Sequence, residues 1–344
     1  MTLPYITAAV LWLALIAYAV LGGADFGGGV WGLLAFGPSK ERQRQLVDEA
    51  IGPVWEANHV WLIFLIVGLF TAFPIVFSTL SVVLFVPFTL ALFGIVLRGA
   101  AFIFHTHSPG ALRQFWGRLF SAASAITPFL LGACAAAVAG GQIHAPGGQA
   151  NISPVSLWTT PFALNIGAMA VSLCATLAAI YLSVEAQQAA DTDLMAAFRL
   201  RAIIAGALTA ALGALGLLLS QEEATLLWNG MLAHALPLVL ATMLVGLGAA
   251  ASLLLRRYQL ARVLIILETA LMLASWGAAQ LPYLVPPDLT IANAASPDAT
   301  LIALLVSTAI GMLVLLPSLW LLFRVFKSQP APEREQEEAG GFAE

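Results

Sequence analysis

Charged residues are scarce in this sequence. Only 9% of its 344 residues are Asp, Glu, Lys or Arg, whereas 60% are apolar, and the mean hydropathy is +0.93. A soluble globular domain has about 25% charged residues, so this composition excludes that class. The Lys and Arg residues are dispersed along the chain and form no basic patch of the kind that binds nucleic acid. We therefore predict a membrane protein with no nucleic-acid partner.

Cysteine is nearly absent. Cys134 and Cys174 lie inside apolar stretches without CxxC spacing, so we interpret them as packing residues and predict neither a disulfide nor a metal site. No basic segment precedes the first apolar stretch, which is also too long for the hydrophobic region of a signal peptide. We therefore predict no signal peptide.

Long apolar stretches make up most of the sequence. Each is close to or above the ~20 residues that a helix needs to cross a bilayer. The stretches are residues 5–34, 51–70, 79–102, 119–139, 161–184, 202–219, 233–255, 263–281 and 301–325. We predict an all-α polytopic membrane protein in which residues 1–327 form a single nine-helix domain, arranged as two four-helix bundles plus one peripheral helix. Residues 328–344 are acidic and are predicted to be a disordered cytoplasmic tail.

Lys and Arg fall on one side of this nine-span arrangement. The connections at 73–78, 140–160, 221–232 and 282–300 contain neither residue. The alternate connections, the tail and one helix end contain all of them: Lys40, Arg42, Arg44, Arg98, Arg113, Arg118, Arg199, Arg201, Arg256, Arg257, Arg262, Arg324, Lys327 and Arg334. Because short loops rich in Lys and Arg stay in the cytoplasm, we predict the N-terminus outside and the C-terminus inside.

Four ionisable residues remain at membrane depth after the loop charges are set aside: Asp25, Glu56, Arg98 and Glu268. A charge near the bilayer centre costs ~2.5–3.5 kcal/mol on insertion scales, so each needs a partner or access to water. Helix rise places all four in the cytoplasmic half. Two structural explanations stay open, namely an Asp25–Arg98 ion pair and snorkelling of Arg98 and Glu268 to the interface. Acids open only to the cytoplasm would suit a proton inlet.

The segment around Glu56 carries the strongest chemical signal. Glu56 and His59 are three residues apart and share a helix face, so they can form an acid–imidazole pair that exchanges protons near neutral pH. A di-iron site would need a second Glu-x-x-His sequence, which is absent. His59 also lacks a convincing second intramembrane ligand, which makes this chain a poor candidate for holding haem by itself. We interpret the pair as a proton relay.

Tryptophan is expected mainly at the membrane surfaces. Six tryptophans lie near the predicted interfaces and are interpreted as belt residues: Trp12, Trp31, Trp61, Trp158, Trp228 and Trp320.

Four segments resemble subunit II of cytochrome bd-type quinol oxidases. Residues 22–29 (GGADFGGG) resemble the end of that family's first helix, and residues 52–61 (GPVWEANHVW) its Pro-x-Trp-(Asp/Glu)-x-Asn-x-x-Trp segment. Residues 97–102 (LRGAAF) resemble its third-helix arginine segment, and residues 280–290 (QLPYLVPPDLT) its late outer loop. The second and last segments are far apart and match independently, which makes the combination specific.

This resemblance implies a two-subunit terminal oxidase of the bacterial cytoplasmic (inner) membrane. A partner subunit I would carry the quinol site, two haems b and a third haem of type d or b, while this chain would ligate none. Subunit II would stabilise the haem centres and contribute a cytoplasmic proton-uptake route during quinol oxidation and reduction of oxygen to water. A structural quinone and a small accessory subunit are further candidates for its partners, besides the lipid bilayer.

The resemblance also assigns roles to individual residues. Glu56 matches the acid of the proton route, with His59 beside it. Asp25 and Arg98 match residues that support the haem environment indirectly, and Trp55 and Asn58 belong to the same motif as Glu56. Glu268 matches no motif, so its assignment to the proton route rests on its depth alone.

Departures from the family pattern leave alternatives open. Members with the DG-D form have an acid at the position of Gly22 or Gly23, residue 56 is Asp in many relatives, and His59 resembles the cyanide-insensitive branch. Glycine-rich helices and acids at membrane depth are also typical of a proton- or cation-coupled secondary transporter, which is the alternative function. A third hypothesis is a structural scaffold in which all four membrane-depth charges form ion pairs.

Overall fold

The structure, a computed structural model, describes residues 3–51, 55–144 and 154–327. Within these ranges the chain is almost entirely helical. The helices are α1 (Leu3–Leu33), α2 (Lys40–Ile51), α3 (Trp55–Ala72), α4 (Pro74–Val83), α5 (Phe85–His107), α6 (Gly110–Ala139), α7 (Pro154–Trp158), α8 (Pro161–Gln188), α9 (Thr192–Glu223), α10 (Thr225–Gly230), a π-helix (Met231–Ala235), α11 (Leu236–Leu254), α12 (Tyr258–Gln280) and α13 (Asp298–Lys327). The predicted fold class, an all-α polytopic protein, is confirmed.

Eight helical segments in the described ranges are long and apolar enough to cross a membrane. A ninth span results if Asn58–Ala72 and Pro74–Val83 are counted together, although the two are bent by 116°. Proline 74 lacks the N–H that would continue α3 and is suited to the first turn of a new helix. The third predicted span therefore began too early: residue 79 lies in α4, and the long helix starts at Phe85.

Two connections have more structure than the sequence indicated. The basic segment after α1 is the helix α2 rather than a loop. The segment after α12 contains two short antiparallel strands, β1 (Tyr283–Val285) and β2 (Leu289–Thr290), so the fold is not purely helical. A bridge between Ile143 and Pro287 ties this hairpin to the segment that follows α6.

The first helix is continuous through its glycine-rich segment. Such a density of glycine is compatible with a helix break or with a tightly packed seam, and the structure has the seam, because α1 packs against α3, α6 and α8. Helix α8 lies at the centre of the largest apolar cluster, which includes the fully buried Leu177 and Ile180 of α8 and Phe198 of α9.

Residues Met1–Leu301 form one compact unit, and Ile302–Glu344 form a second, which contains most of α13. A single domain over 1–327 stays a prediction. The proposed acidic tail at 328–344 lies outside the described residues.

Candidate functional site: a buried charge centre between α1 and α5

Asp25 of α1 and Arg98 of α5 form a buried ion pair. Nη2 of Arg98 lies 2.8 Å from Oδ1 of Asp25, and the two side chains are only 1% and 2% exposed. Hydrogen-bond geometry is met toward the Asp25 backbone carbonyl, which accepts from Nη2 at 3.2 Å, but not toward Oδ1. The contact between the side chains is therefore chiefly electrostatic. Arg98 does not snorkel to the surface.

Aromatic rings and a hydroxyl surround the guanidinium. Its central carbon is 4.9 Å from the ring centres of both Phe26 and Phe120, distances typical of cation–π contacts. Nε of Arg98 donates to Oγ of Ser124 at 3.0 Å, and that hydroxyl donates to the Phe120 carbonyl at 2.8 Å. Arginine suits this site because its planar cation stacks on rings and donates in fixed directions.

The glycines of α1 bring the neighbouring helices close enough to form this centre. A Cβ atom on Gly29 would lie 2.2 Å from Oγ of Ser124, and one on Gly27 would lie 1.8 Å from the Cys174 carbonyl oxygen of α8. Neither distance is compatible with a side chain. The small residues therefore allow α6 to present Ser124 to Arg98 and α8 to close the site.

The first turn of α3 lies against the same part of α1. Nδ2 of Asn58, a 5% exposed side chain, donates to the Leu21 carbonyl at 3.3 Å. The half-buried His59 ring has its centre 6.1 Å from the Tyr18 ring and 6.0 Å from the Phe26 ring, both in edge geometry. Phe26 thus contacts His59 as well as Arg98. The side chains of Trp55 and Glu56, and hence the predicted Glu56–His59 pair, lie outside the described residues.

Glu268 belongs to a different contact. It lies on α12, and its carboxylate packs against Gly246 of α11, where an added Cβ would lie 2.6 Å from Oε1. The structure therefore joins Asp25, Arg98, Asn58 and His59 in one region and places Glu268 at the α11–α12 interface.

A second buried arginine was missed by the sequence analysis. Arg201 was expected in a basic connection, but it lies in α9 and is 8% exposed. Its guanidinium carbon lies over three rings: Trp31 at 5.5 Å, Phe36 at 5.4 Å and Phe198 at 5.0 Å. Nη2 donates to Oε1 of Gln43 in α2 at 2.8 Å. No sequence motif marks this cluster.

Trp31 is correspondingly not an interfacial belt residue. It is 8% exposed, and its Nε1 donates to the Ala175 carbonyl of α8 at 2.7 Å. The belt prediction was wrong here because the α1 seam encloses the indole ring, which finds a backbone acceptor inside the protein.

Asp48, near the C-terminus of α2, contacts His105, near the C-terminus of α5. Oδ2 of Asp48 lies 3.5 Å from Nε2 of His105, whose Nδ1 is 2.8 Å from the Arg113 carbonyl oxygen of α6. Burial raises the pKa of the Asp48 carboxyl, and this effect is partly offset by His105, Arg113 and Arg44. The pair joins α2 to the helix that carries Arg98.

These features define a class of protein: a multi-pass helical membrane protein with a buried Arg–Asp centre at the seam of its first helix. The sequence profile of the family described as cytochrome bd terminal oxidase subunit II matches residues 3–326, so the chain belongs to that family. It is thus one subunit of a quinol oxidase complex, which favours the oxidase prediction over the transporter alternative. Membership implies haem cofactors and a partner subunit I within the complex.

Individual relatives agree with this assignment. The chain is 24% identical over 342 residues to the putative cytochrome bd menaquinol oxidase subunit II of Bacillus subtilis (strain 168), covering 96% of this chain and 98% of the relative. It is 34% identical over 130 residues to cytochrome bd ubiquinol oxidase subunit 2 of the same organism, covering 36% and 37%. The solved structure of bd oxidase from Geobacillus thermodenitrificans has the same fold, with a TM-score of 0.77, 23% identity and coverage of 95% and 99%.

His59, Arg98 and Asp25 are each engaged by other side chains of this chain. His59 is packed edge-on against two aromatic rings, and Arg98 and Asp25 engage each other. The described residues also contain no group of three or more His, Cys, Asp or Glu side chains suited to a metal ion.

Proposed function

We propose that this subunit supports oxygen reduction in two ways. The Asp25–Arg98 centre stabilises the part of the fold that faces the haem-bearing subunit I, and Glu56 with His59 relays protons from the cytoplasm. The names of both relatives specify a quinol as electron donor, menaquinol in one and ubiquinol in the other, which supports a quinol substrate for this complex as well. The haems, two of type b and one of type d or b, are proposed to reside in subunit I.

The buried Asp25–Arg98 pair is the observation that carries this proposal. Removing two charges from water is costly, and such a pair contributes little net stability compared with apolar packing. A centre of this kind therefore supports a functional role as well as a structural one. The contacts of Asn58 with the Leu21 carbonyl and of His59 with the Phe26 ring support a route that begins in the first turn of α3 and reaches α1.

Contacts at the two ends of the helices in the Met1–Leu301 unit support the proposed sidedness. Three contacts gather the basic connections at one end: Arg42 with Asp191, Gln43 with Arg201, and Asp48 with His105. At the other end, Ser296 donates to the carbonyls of Thr71 and Ala72. This arrangement supports nine spans with the N-terminus outside and the basic end in the cytoplasm, with two four-helix bundles plus one peripheral helix as the proposed arrangement. The bacterial inner membrane is the proposed location.

A one-sided route separates charge without pumping. Protons consumed when oxygen is reduced to water would enter from the cytoplasm through this subunit, while quinol oxidation would release protons outside. Glu268, at the α11–α12 interface, is assigned only a secondary part in this route. A structural quinone and a small accessory subunit complete the proposed assembly.

Purification of the assembled complex tests the assignment first. A tag on this chain should bring down a larger haem-containing subunit with absorbance in the red region. Recovery of this chain alone, without haem, would contradict the proposed assembly.

Variants of the complex then separate the two roles. We expect Glu56→Ala to slow oxygen consumption with haem retained, whereas Asp25→Ala and Arg98→Ala should lose haem absorbance. Glu41→Ala is the matched control, because Glu41 is an acid on α2 with an 86% exposed side chain. Normal turnover of Glu56→Ala at neutral pH would remove the relay from the proposal.

A further inference from the structure

Two polar groups on α1 are buried without a hydrogen-bonding partner among the residues that the structure describes. They are the phenol of Tyr18 and the carboxylate of Asp25, neither of whose oxygens forms a hydrogen bond, although Oδ1 is ion-paired with Arg98. The residues are 6% and 4% exposed. Buried polar atoms in folded proteins are nearly always hydrogen-bonded, either to protein or to internal water, because an unsatisfied group loses its hydration without compensation.

The Tyr18 ring points along α1 toward Asp25. The two residues are seven positions apart, which is about two helical turns, so they lie on the same face. The position of a Cβ on Gly22, between them, is 3.0 Å from Cε2 and 3.6 Å from Cζ of Tyr18. The phenol ring therefore lies over Gly22, on the side of α1 toward Asp25.

Side chains of three other helices border this region. His59 of α3 packs against the Tyr18 ring, Cys174 of α8 lies 3.6 Å from the Cβ position of Gly23, and Arg98 of α5 contacts Asp25. The Tyr18 and Asp25 oxygens are inaccessible within this chain alone. A partner subunit therefore cannot satisfy them from outside, and what satisfies them must fit inside the helix seam.

We propose that internal water lies between Tyr18 and Asp25 and hydrogen-bonds to both, which makes Tyr18 a positioning residue for the Asp25–Arg98 pair. Water suits this site because it donates to a carboxylate oxygen while it accepts from or donates to a phenol. The functional meaning rests on the proton route proposed above, since the water extends a hydrogen-bonded path from the first turn of α3 to Asp25. The water site itself is independent of that route.

High-resolution electron cryo-microscopy of the assembled complex tests the site directly. We expect ordered water density within hydrogen-bond distance of the Tyr18 hydroxyl and of Asp25 Oδ2, and loss or displacement of that density in Tyr18→Phe. Absence of the density in a wild-type map that resolves other internal waters would overturn the proposal. The wild-type map decides this point even if the variant does not assemble.

Infrared spectroscopy with ring-labelled tyrosine supplies a second signature. The phenol C–O band of a hydrogen-bonded tyrosine should disappear in Tyr18→Phe and persist in the matched control Tyr5→Phe on the same helix. A Tyr18 band characteristic of a phenol without hydrogen bonds would refute the water bridge. Neither readout measures oxygen consumption. Failure of the proposed proton relay at Glu56 can therefore be told apart from failure of the water proposal.

Discussion

Gly27 of α1 lies directly against the backbone of Cys174 in α8. A Cβ at position 27 would be 1.8 Å from the Cys174 carbonyl oxygen and 2.8 Å from Cβ of Ala178. Backbone atoms cannot swing aside as a flexible side chain can. This contact therefore sets the separation of two helices that enclose the Asp25–Arg98 centre.

Gly27→Ala should consequently separate α1 from α8 and weaken the charge centre. Overpacking in a well-packed core typically costs about 1–3 kcal/mol, and the involvement of backbone on the facing helix favours the upper part of that range. The yield and thermal stability of the assembled complex measure the effect. Gly206→Ala is the control, since its Cβ would be 3.6 Å from the nearest atom, an ordinary contact. Equal stability of the two variants would contradict the close-approach argument.

Removing Arg98 should leave Asp25 as an uncompensated buried charge. Breaking one side of a buried ion pair typically costs about 3–5 kcal/mol, so Arg98→Met should lose most of the assembled complex. The double variant Asp25→Asn/Arg98→Met should recover assembly in part, because no lone charge remains. Turnover of the recovered double variant separates two hypotheses. Full turnover would support a structural scaffold, whereas assembled but slow complex is the result that we expect.

Arg201→Lys should destabilise the complex although it keeps the charge. A lysine cannot stack a planar cation on Trp31, Phe36 and Phe198, and it loses the directed donation to Gln43. Desolvated cation–π contacts contribute up to about 2 kcal/mol, so we expect a loss of about 1–2 kcal/mol in a thermal unfolding measurement. The exposed Arg118 provides the control, and Arg118→Lys should be nearly neutral. A loss at Arg201 no larger than that at Arg118 would argue against the aromatic cluster as a stabilising contact.

Asp191 provides a pH-dependent prediction at the N-terminus of α9. Its carboxylate accepts from the Leu194 N–H at 3.0 Å and pairs with Arg42, and these contacts hold its pKa below the ordinary value. Since the pKa is lower in the folded state, the added stability is present above about pH 4, the unfolded value, and is lost as pH falls through the folded pKa. Asp191→Ala should cost about 1 kcal/mol at neutral pH.

Thermal unfolding at a series of pH values checks this linkage. The stability difference between wild type and Asp191→Asn should shrink toward acid pH, because asparagine keeps the capping oxygen and lacks the charge. Asp193→Asn, an exposed neighbour in the first turn, is the matched control. A stability difference between wild type and Asp191→Asn that does not change with pH would contradict a contribution from the charge of Asp191.

Sequence reasoning succeeded where the physics is local or governed by hydropathy. Apolar length predicted the spanning helices, and isolated charges at membrane depth identified Asp25 and Arg98 as a pair in need of explanation. Motif resemblance led to the oxidase family. Sequence reasoning was less successful at the turn around Phe73. Residues 79–83 are apolar enough to be taken as part of the next span, but they belong to the separate helix α4.

The buried Arg201 cluster shows what a linear sequence does not contain. Its arginine lies next to other basic residues that look like cytoplasmic anchors, and its aromatic partners come from α1, α9 and the segment between α1 and α2. Only three-dimensional packing determines which rings face the cation. The hydrogen bond from Arg201 to the Gln43 side-chain amide likewise joins residues that are 158 positions apart in the sequence.

Hydropathy and charge placement therefore determined that this chain is a multi-pass membrane protein with a few buried ionisable groups, because transfer into hydrocarbon depends on composition along each helix. The tertiary structure decided which of those groups meet. Pairing of Asp25 with Arg98, separation of Glu268 from them and the enclosure of Tyr18 all depend on how closely glycine-bearing helices approach. Those distances are set by side chains on other helices, so no single segment specifies them.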